Sequence, residues 1–364
     1  SFYKNSDSIT VPVLFDKEHA TKTLRTAREP RHVDISNYRY TLELRGARGN
    51  NLKNVDLKIP LNRIVTVTGV SGSGKSTLIS DTLYPVLARE FGIEFTKAHE
   101  FESIHGLEHL RNVLFVDQSP IGTTARSNPV TYMKIYDIIR AVMASTEEAK
   151  AAGYDAGDFS LNVDGGRCPV CKGLGVEIID MMFMDDIEIP CDTCDGKKFR
   201  PEILEIKYRD KNIHDILNMT VTEAMDFFVA YPNIRRPLSL LREVGLEYIS
   251  LGQSARSLSG GESQRLKIAR EFNSTAQKAT LYILDEPTTG LHFREVQLLM
   301  RVLNRLVDAG GSVLLIEHNI DVIRNSDYII DLGPEAGEGG GNIVATGSPD
   351  QIKANKKSLT GRYL

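Results

Sequence analysis

The residues best suited to binding phosphate lie in Gly69–Ser76. This segment reads GVSGSGKS, which matches the pattern GxxxxGK(S/T), and it stands between a β-branched apolar run and a helical pattern. In that context the pattern indicates a nucleotide site rather than a simple glycine-rich turn. Glycines let successive backbone N–H groups turn toward phosphate oxygens, and the helix N-terminus adds partial positive charge. The predicted nucleotide-binding residues of this segment are Gly69, Ser71, Gly72, Gly74, Lys75, Ser76 and Thr77.

Two carboxylates are candidates for binding Mg²⁺ and activating water at this nucleotide site. Asp285 and Glu286 follow the apolar run Leu281 to Leu284, at the end of a predicted strand, where open α/β sheets bind their ligands. We expect Asp285 and Ser76 to hold Mg²⁺ while Lys75 reaches the terminal phosphates. Glu286 is placed to polarise the attacking water, since phosphoryl transfer depends on positioning and on charge stabilisation. The sequence therefore predicts hydrolysis of ATP with Mg²⁺.

The four cysteines form a second candidate site. All of them fall in two CxxC pairs, Cys168/Cys171 and Cys191/Cys194. Two disulfides are the alternative, but the first residues lack the layout of a signal peptide, and the spacing fits a tetrahedral metal better. Four thiolates leave no position for a catalytic water. The pattern therefore predicts one structural Zn²⁺ per chain.

Alternating strands and helices must position these groups. Apolar runs such as Ile64 to Thr68, Val113 to Val116 and Val313 to Ile316 are separated by helical stretches, which indicates an α/β core with a mostly parallel sheet. The region around the cysteines breaks this alternation and is predicted to be an insertion. The predicted divisions are a lead-in segment (1–40), the first part of an ATP-binding core (41–132), an insertion with the zinc module and a helical subdomain (133–257), and the second part of the core (258–364).

Three further motifs narrow the class of P-loop protein. Leu258 to Arg265 reads LSGGESQR and resembles the signature of ABC ATPases; Gln118 follows a strand as the Q-loop glutamine does; His318 closes a strand as the switch histidine does. The resemblance implies that Gln118 senses Mg²⁺ and the attacking water and that His318 contacts the γ-phosphate. It also implies that Ser259, Gly260 and Gly261 hold the ATP of an opposing domain. A single copy of each half-site then requires a second ABC domain, paired head to tail with this one.

Longer stretches make a more specific resemblance, to the C-terminal nucleotide-binding half of UvrA, the damage-sensing subunit of bacterial excinuclease. They run from about Leu42 to the end of the chain. The stretches that carry the resemblance are 46–55, 116–122, 126–129, the zinc module, 284–292 (LDEPTTGLH) and 330–334 (IDLGP). The implied function is ATP-driven domain pairing coupled to binding of damaged duplex DNA in nucleotide excision repair.

Four positions depart from the usual family pattern: Thr123, Ala125, Met182 and Ser263. They leave the ATPase motifs intact. They keep open the alternative of a divergent UvrA paralogue for self-resistance to DNA-binding drugs. The partner ABC domain is expected to be the N-terminal half of the same protein or another copy, and UvrB binding is expected only through that N-terminal half.

Basic residues near the zinc module are candidate contacts to DNA phosphates: Lys197, Lys198, Arg200 and Lys211. A solvated charged face is the alternative for each of them. The net charge of −4 neither supports nor excludes DNA binding, so any such surface must be local.

Two other function classes fit less well. A transporter ATPase subunit carries only a short helical segment between its Q-loop and its signature, whereas here about 140 residues and a zinc module intervene. A passive assembly module, whose zinc knuckle only binds another protein, is the third alternative, and measurable ATP turnover in a paired state would argue against it. No apolar run of membrane-spanning length occurs, so we expect a cytoplasmic protein without membrane contact.

Overall fold

The computed structural model describes residues 30–93, 97–122, 124, 126–179, 181, 187–273 and 278–364. Most of the predicted lead-in segment, and three of the four positions that depart from the family pattern (Thr123, Ala125 and Met182), lie outside these residues. The described chain divides into two compact units, one formed by 30–118 with 278–364 and the other by 119–273. The predicted insertion, 133–257, falls within the second unit, and the signature helix packs there as well.

The first unit contains two sheets. Their strands are β1 (Thr41–Ala47), β2 (Val55–Pro60), β3 (Ile64–Gly69), β4 (Ser103–His105), β5 (Asn112–Val116), β8 (Thr280–Asp285), β9 (Ser312–Ile316), β10 (Tyr328–Gly333) and β11 (Asn342–Gly347). β2, β1 and β4 form an antiparallel sheet in that order. The larger sheet has the order β11-β10-β3-β9-β8-β5 and is parallel except for the edge strand β11. The prediction of a mostly parallel α/β core is therefore confirmed.

The central strands are buried because the sheet is covered on both faces. Every residue of β3 and β9 is buried, which explains why both read as continuous apolar or β-branched runs instead of alternating ones. The helices of this unit are α1 (Lys75–Leu78), α2 (Tyr84–Glu90), α11 (Phe293–Asp308), α12 (Ile320–Arg324) and α13 (Pro349–Ala354). A π-helical turn, Ile79–Leu83, joins α1 to α2.

The longest of these helices shows how the sequence specifies a packed face. α11 begins at a capping box, in which the His292 side chain accepts from a backbone N–H of the first turn and the Glu295 side chain accepts from the His292 N–H. Its apolar residues recur at helical spacing, and the buried ones are Val296, Leu299, Met300, Val302, Leu303, Leu306 and Val307. This stripe packs against the sheet, where the helix contacts β3 and β9.

In the described part of the second unit, the regular elements are helices and one hairpin. Its helices are α3 (Pro129–Tyr132), α4 (Tyr136–Ala144), α5 (Glu147–Ala152), α6 (Pro201–Glu205), α7 (Ile213–Asn218), α8 (Val221–Phe227), α9 (Pro232–Glu243) and α10 (Gly260–Asn273). The hairpin pairs β6 (Val176–Ile179) with β7 (Ile187–Pro190) and lies between the two cysteine pairs. Across the described residues of both units, helices of the length and apolarity needed to span a bilayer do not occur.

Candidate functional site

The phosphate-binding pattern forms the turn between β3 and α1. Gly69, at the end of β3, has φ 133°, and a Cβ there would lie 2.0 Å from the carbonyl oxygen of Leu332. Gly74, just before α1, has φ 104°. Both conformations favour glycine, so the spacing of these residues follows from the path of the backbone. Ser71 and Gly72 are exposed on this turn, and Ser76 is exposed at the start of α1.

Lys75 lies inside the turn. Its ammonium donates hydrogen bonds of 2.9 Å to the carbonyl oxygens of Gly69 and Val70, and the residue is buried. Burial lowers the pKa of Lys75, while the carboxylates of Glu286, Asp331 and Asp285 act in the opposite direction. The lysine is therefore held where it faces negative charge from the neighbouring strand ends.

The outer side of the turn rests on residues whose role no sequence motif predicts. The Asn51 side chain donates to the carbonyl oxygens of Gly72 and Gly337, each at 3.0 Å. The Gly337 N–H donates to Gly72 O and the Gly341 N–H to Ser73 O, both at 3.0 Å. The sequence around Gly337 indicates only a flexible glycine-rich connection. That connection does join β10 to β11, and it also supports the phosphate-binding turn.

The two predicted carboxylates stand at the end of β8. Asp285 is half-buried, and burial, followed by the nearby carboxylates of Glu286 and Asp117, raises its pKa. Glu286 has φ 45°, and its N–H donates to Ile316 O at 2.9 Å, which turns the chain back across the end of β9. A site with two adjacent carboxylates and a buried lysine is suited to a divalent cation with a phosphate ligand.

Gln118 and His318 both approach Glu286. The Gln118 amide donates to the Glu286 carbonyl oxygen at 3.3 Å. His318 Nε2 lies 3.1 Å from Glu286 Oε1. Because β3, β5, β8 and β9 are parallel, their carboxyl ends meet at one edge of the sheet, and the structure brings Lys75, Asp285, Glu286, Gln118 and His318 together there.

The signature residues belong to the second unit. Ser259 is exposed and precedes α10; its N–H donates to Glu262 Oε2 at 2.7 Å, and the Glu262 N–H donates to Ser259 Oγ at 3.2 Å. This is the reciprocal pattern of a capping box. The Tyr248 hydroxyl donates to the other oxygen of Glu262 at 2.6 Å. Ser259, Gly260 and Gly261 thus lie at a fixed helix N-terminus, where backbone N–H groups favour an anion.

The four cysteines converge. Their sulfur atoms all lie within 4.8 Å of one another and all four residues are buried. The distances from Cys168 Sγ to Cys191 Sγ and from Cys171 Sγ to Cys194 Sγ are 4.0 Å and 3.7 Å. A tetrahedron with Zn–S bonds of about 2.3 Å has sulfurs about 3.8 Å apart, so these residues fit zinc, whereas a disulfide needs about 2.05 Å.

The candidate DNA residues differ from one another in their surroundings. Lys197, Arg200 and Lys211 are exposed. Lys198 is half-buried, its ammonium donates to Gly252 O at 3.1 Å, and burial lowers its pKa. Its carbonyl oxygen also accepts from the Cys168 N–H at 2.9 Å. Lys198 therefore has a structural position between the cysteine cluster and the segment before the signature.

The chain is similar to known proteins over nearly its whole length. The ABC transporter family profile matches residues 192–289. UvrABC system protein A of Staphylococcus epidermidis is 49% identical over 357 residues, 97% of this chain and 38% of that protein. The Neisseria meningitidis protein of the same name is 54% identical over 323 residues, 89% of this chain and 34% of that protein. The chain thus spans less than two fifths of these relatives.

A solved structure is also similar. The crystal structure of UvrA2 from Deinococcus radiodurans matches with a TM-score of 0.87 and 44% identity, covering 100% of this chain and 42% of that one. Both units are included in this match. The fold class is therefore that of ABC ATPases, with the cysteine-rich module and the signature helix outside the parallel-sheet unit.

Proposed function

Because this chain is an ABC-type ATPase half of the UvrA family, we propose that it binds and hydrolyses ATP and that its nucleotide state controls binding of damaged duplex DNA. The proposal rests above all on the group formed by Lys75, Asp285, Glu286 and His318 at one edge of the parallel sheet. The similarity to UvrABC system protein A supports the repair role, and with it a cytoplasmic location.

Six side chains near the phosphate-binding turn have distinct roles in the proposed hydrolysis. Ser76, Asp285 and Gln118 would hold Mg²⁺, which when bound neutralises charge on the β- and γ-phosphates. Lys75 binds the terminal phosphates, and Glu286 orients the attacking water by accepting its hydrogen bond. His318 contacts the γ-phosphate and, at 3.1 Å from Glu286, limits the positions open to that carboxylate.

The signature residues act on a second domain. Ser259, Gly260 and Gly261 form a helix N-terminus that begins at the exposed Ser259, which suits the phosphates of ATP bound to an opposing ABC half. That half is the N-terminal part of the same protein or another copy. The cysteine cluster would hold one Zn²⁺, which when bound cross-links the two knuckles on either side of the β6–β7 hairpin.

A transporter subunit is the weaker proposal, since the segment between Gln118 and the signature is about 140 residues long and includes the cysteine cluster. The test is ATP turnover together with the affinity for intact and damaged duplexes, with and without nucleotide, in an assembly containing both ABC halves. We expect turnover and a nucleotide-dependent preference for the damaged duplex. Equal affinity for both duplexes in every nucleotide state would refute the repair role.

A further inference from the structure

Glu317 is a buried carboxylate beside the nucleotide site, and no sequence motif gives it a role. It lies between the end of β9 and His318, and only 2% of its surface is exposed. Its Oε1 accepts from the Thr288 N–H at 2.9 Å and from the Thr288 hydroxyl at 2.6 Å. Its Oε2 accepts from the N–H groups of His318 at 2.8 Å and Asn319 at 3.0 Å.

These donors come from the two segments that carry the reacting groups. Thr288 stands two residues after Glu286, and the other two donors are His318 itself and its neighbour. The Glu286 N–H already bonds Ile316 O at 2.9 Å, and the side chains of Glu286 and His318 approach to 3.1 Å. Residues 286–288 and 316–319 are therefore linked by a closed ring of hydrogen bonds. The Glu317 carboxylate lies inside this ring and accepts hydrogen bonds from both segments.

We propose that Glu317 is a positioning residue for ATP hydrolysis: it fixes the His318 imidazole against the Glu286 carboxylate. This inference rests on the proposed function of the site. Glu317 acts only through His318 and the segment that follows Glu286, because four donors from the protein occupy its carboxylate oxygens.

The chemistry of the contacts requires a carboxylate. An ionised carboxylate is acceptor-only, and four donors saturate its two oxygens. In Glu317→Gln the amide NH₂ would face at least one backbone N–H donor whichever way the group is turned, since among the four partners only the Thr288 hydroxyl can accept instead of donate. In Glu317→Asp the oxygens would be withdrawn by one methylene. Either change should separate the two segments while leaving Lys75 and the phosphate-binding turn unaltered.

A double-mutant cycle, measured on the full chain paired with a second ABC half, separates positioning from a general structural role. Glu317→Gln should lower kcat about 10- to 100-fold, the scale of misplaced catalytic groups, with KM changed by less than about threefold. In the His318→Ala background the same change should lower kcat by no more than about twofold, because residues that act through one another are not additive. Thr288→Val, which removes one of the four donors, provides a milder version if Glu317→Gln folds poorly.

Asp327→Asn is the matched control. Asp327 is 1% exposed and accepts from the N–H groups of Arg31 at 2.6 Å and Ile64 at 2.9 Å, at the opposite end of the strands. This variant should lower Tm as Glu317→Gln does and leave kcat within about twofold of wild type, because Asp327 lies at the opposite end of the strands from Glu286 and His318. If both variants reduce kcat equally, the effect of Glu317 is loss of stability and the proposal is wrong.

Hydrogen exchange supplies a readout that does not need turnover. In Glu317→Gln the amides of Thr288, His318 and Asn319 should exchange at least about tenfold faster, as expected when local opening becomes easier, and in Asp327→Asn they should be unchanged. Unchanged exchange in Glu317→Gln, or a kcat loss fully multiplicative with that of His318→Ala, would overturn the positioning role. A wild-type chain without turnover in the paired assembly would refute the proposed hydrolysis instead, while exchange would still decide whether Glu317 holds the two segments.

Discussion

His318 Nε2 lies 3.1 Å from Glu286 Oε1, although 32 positions separate the two residues in the sequence. The contact exists because β8 and β9 are neighbours in the parallel sheet and both end at the same edge. Each residue stands just beyond its strand, so a shift of either strand end would change the distance between the two side chains. The chemistry of the site therefore depends on how these strand ends are held.

Replacing Glu286 by Gln should separate ATP binding from hydrolysis. The amide keeps the size of the side chain but loses the ability to accept a proton or orient water as a carboxylate does, so turnover should fall by about 100-fold or more. Affinity for ATP, measured with a fluorescent analogue, should stay within about threefold, because Lys75 and the backbone N–H groups still bind the phosphates. Loss of affinity with normal turnover per bound ATP would contradict the assignment.

Removing the Asn51 side chain should weaken nucleotide binding without touching a predicted phosphate ligand. Asn51→Ala deletes two hydrogen bonds of 3.0 Å that hold Gly72 and Gly337. At about 1 kcal/mol per hydrogen bond, ATP affinity should fall about 5- to 30-fold. The control is Asn37→Ala. Asn37 is exposed, and its side chain bonds Asp34 in a separate turn that precedes β1. Equal affinities of the two variants would show that the turn is preorganised without Asn51.

Metal analysis should find one Zn²⁺ per chain, bound by Cys168, Cys171, Cys191 and Cys194. Chelation, or Cys194→Ser, should lower the thermal stability of the 119–273 unit, because the metal joins two knuckles that few apolar side chains cover. ATP binding should persist, since the phosphate-binding turn belongs to the other unit. Protein purified without chelator that contains less than half an equivalent of zinc would rule out this site.

DNA affinity should depend on the exposed basic residues and not on Lys198. Replacing Lys197, Arg200 and Lys211 by Gln should weaken duplex binding in the paired assembly and reduce the salt slope by about 0.9 for each phosphate that the variant no longer neutralises. Gln at Lys353, Lys356 and Lys357, three exposed residues of the other unit, controls for the loss of three positive charges. Lys198→Met should leave the slope unchanged, because its ammonium is bonded to Gly252 O. An unchanged slope in the triple variant would place the DNA path elsewhere.

How much of this could be predicted depends on how local each feature is. The phosphate-binding turn, the carboxylates after β8 and the paired cysteines are short contiguous patterns, and the backbone geometry they need is set by adjacent residues such as Gly69 and Gly74. The parallel sheet also followed from the sequence, because strands covered on both faces read as continuous apolar runs. The fold class was therefore predictable from the sequence, and so were the candidate groups of the nucleotide and metal sites.

The interactions that support the site could not be predicted from the sequence. Asn51 and Gly337 are hydrogen-bonded although 286 positions separate them, and Glu317 and Thr288 are hydrogen-bonded across 29 positions. The local sequence around each residue does not indicate which residue it will contact. The sequence places Lys198 among the candidate DNA contacts for the same reason, since burial of one lysine in a basic run depends on what packs over it. The sequence by itself determined which groups are candidates for the chemistry, because each motif consists of neighbouring residues. Only the tertiary structure decided which side chains hold those groups in place, because strand order in a sheet brings together residues that the order of the chain keeps apart.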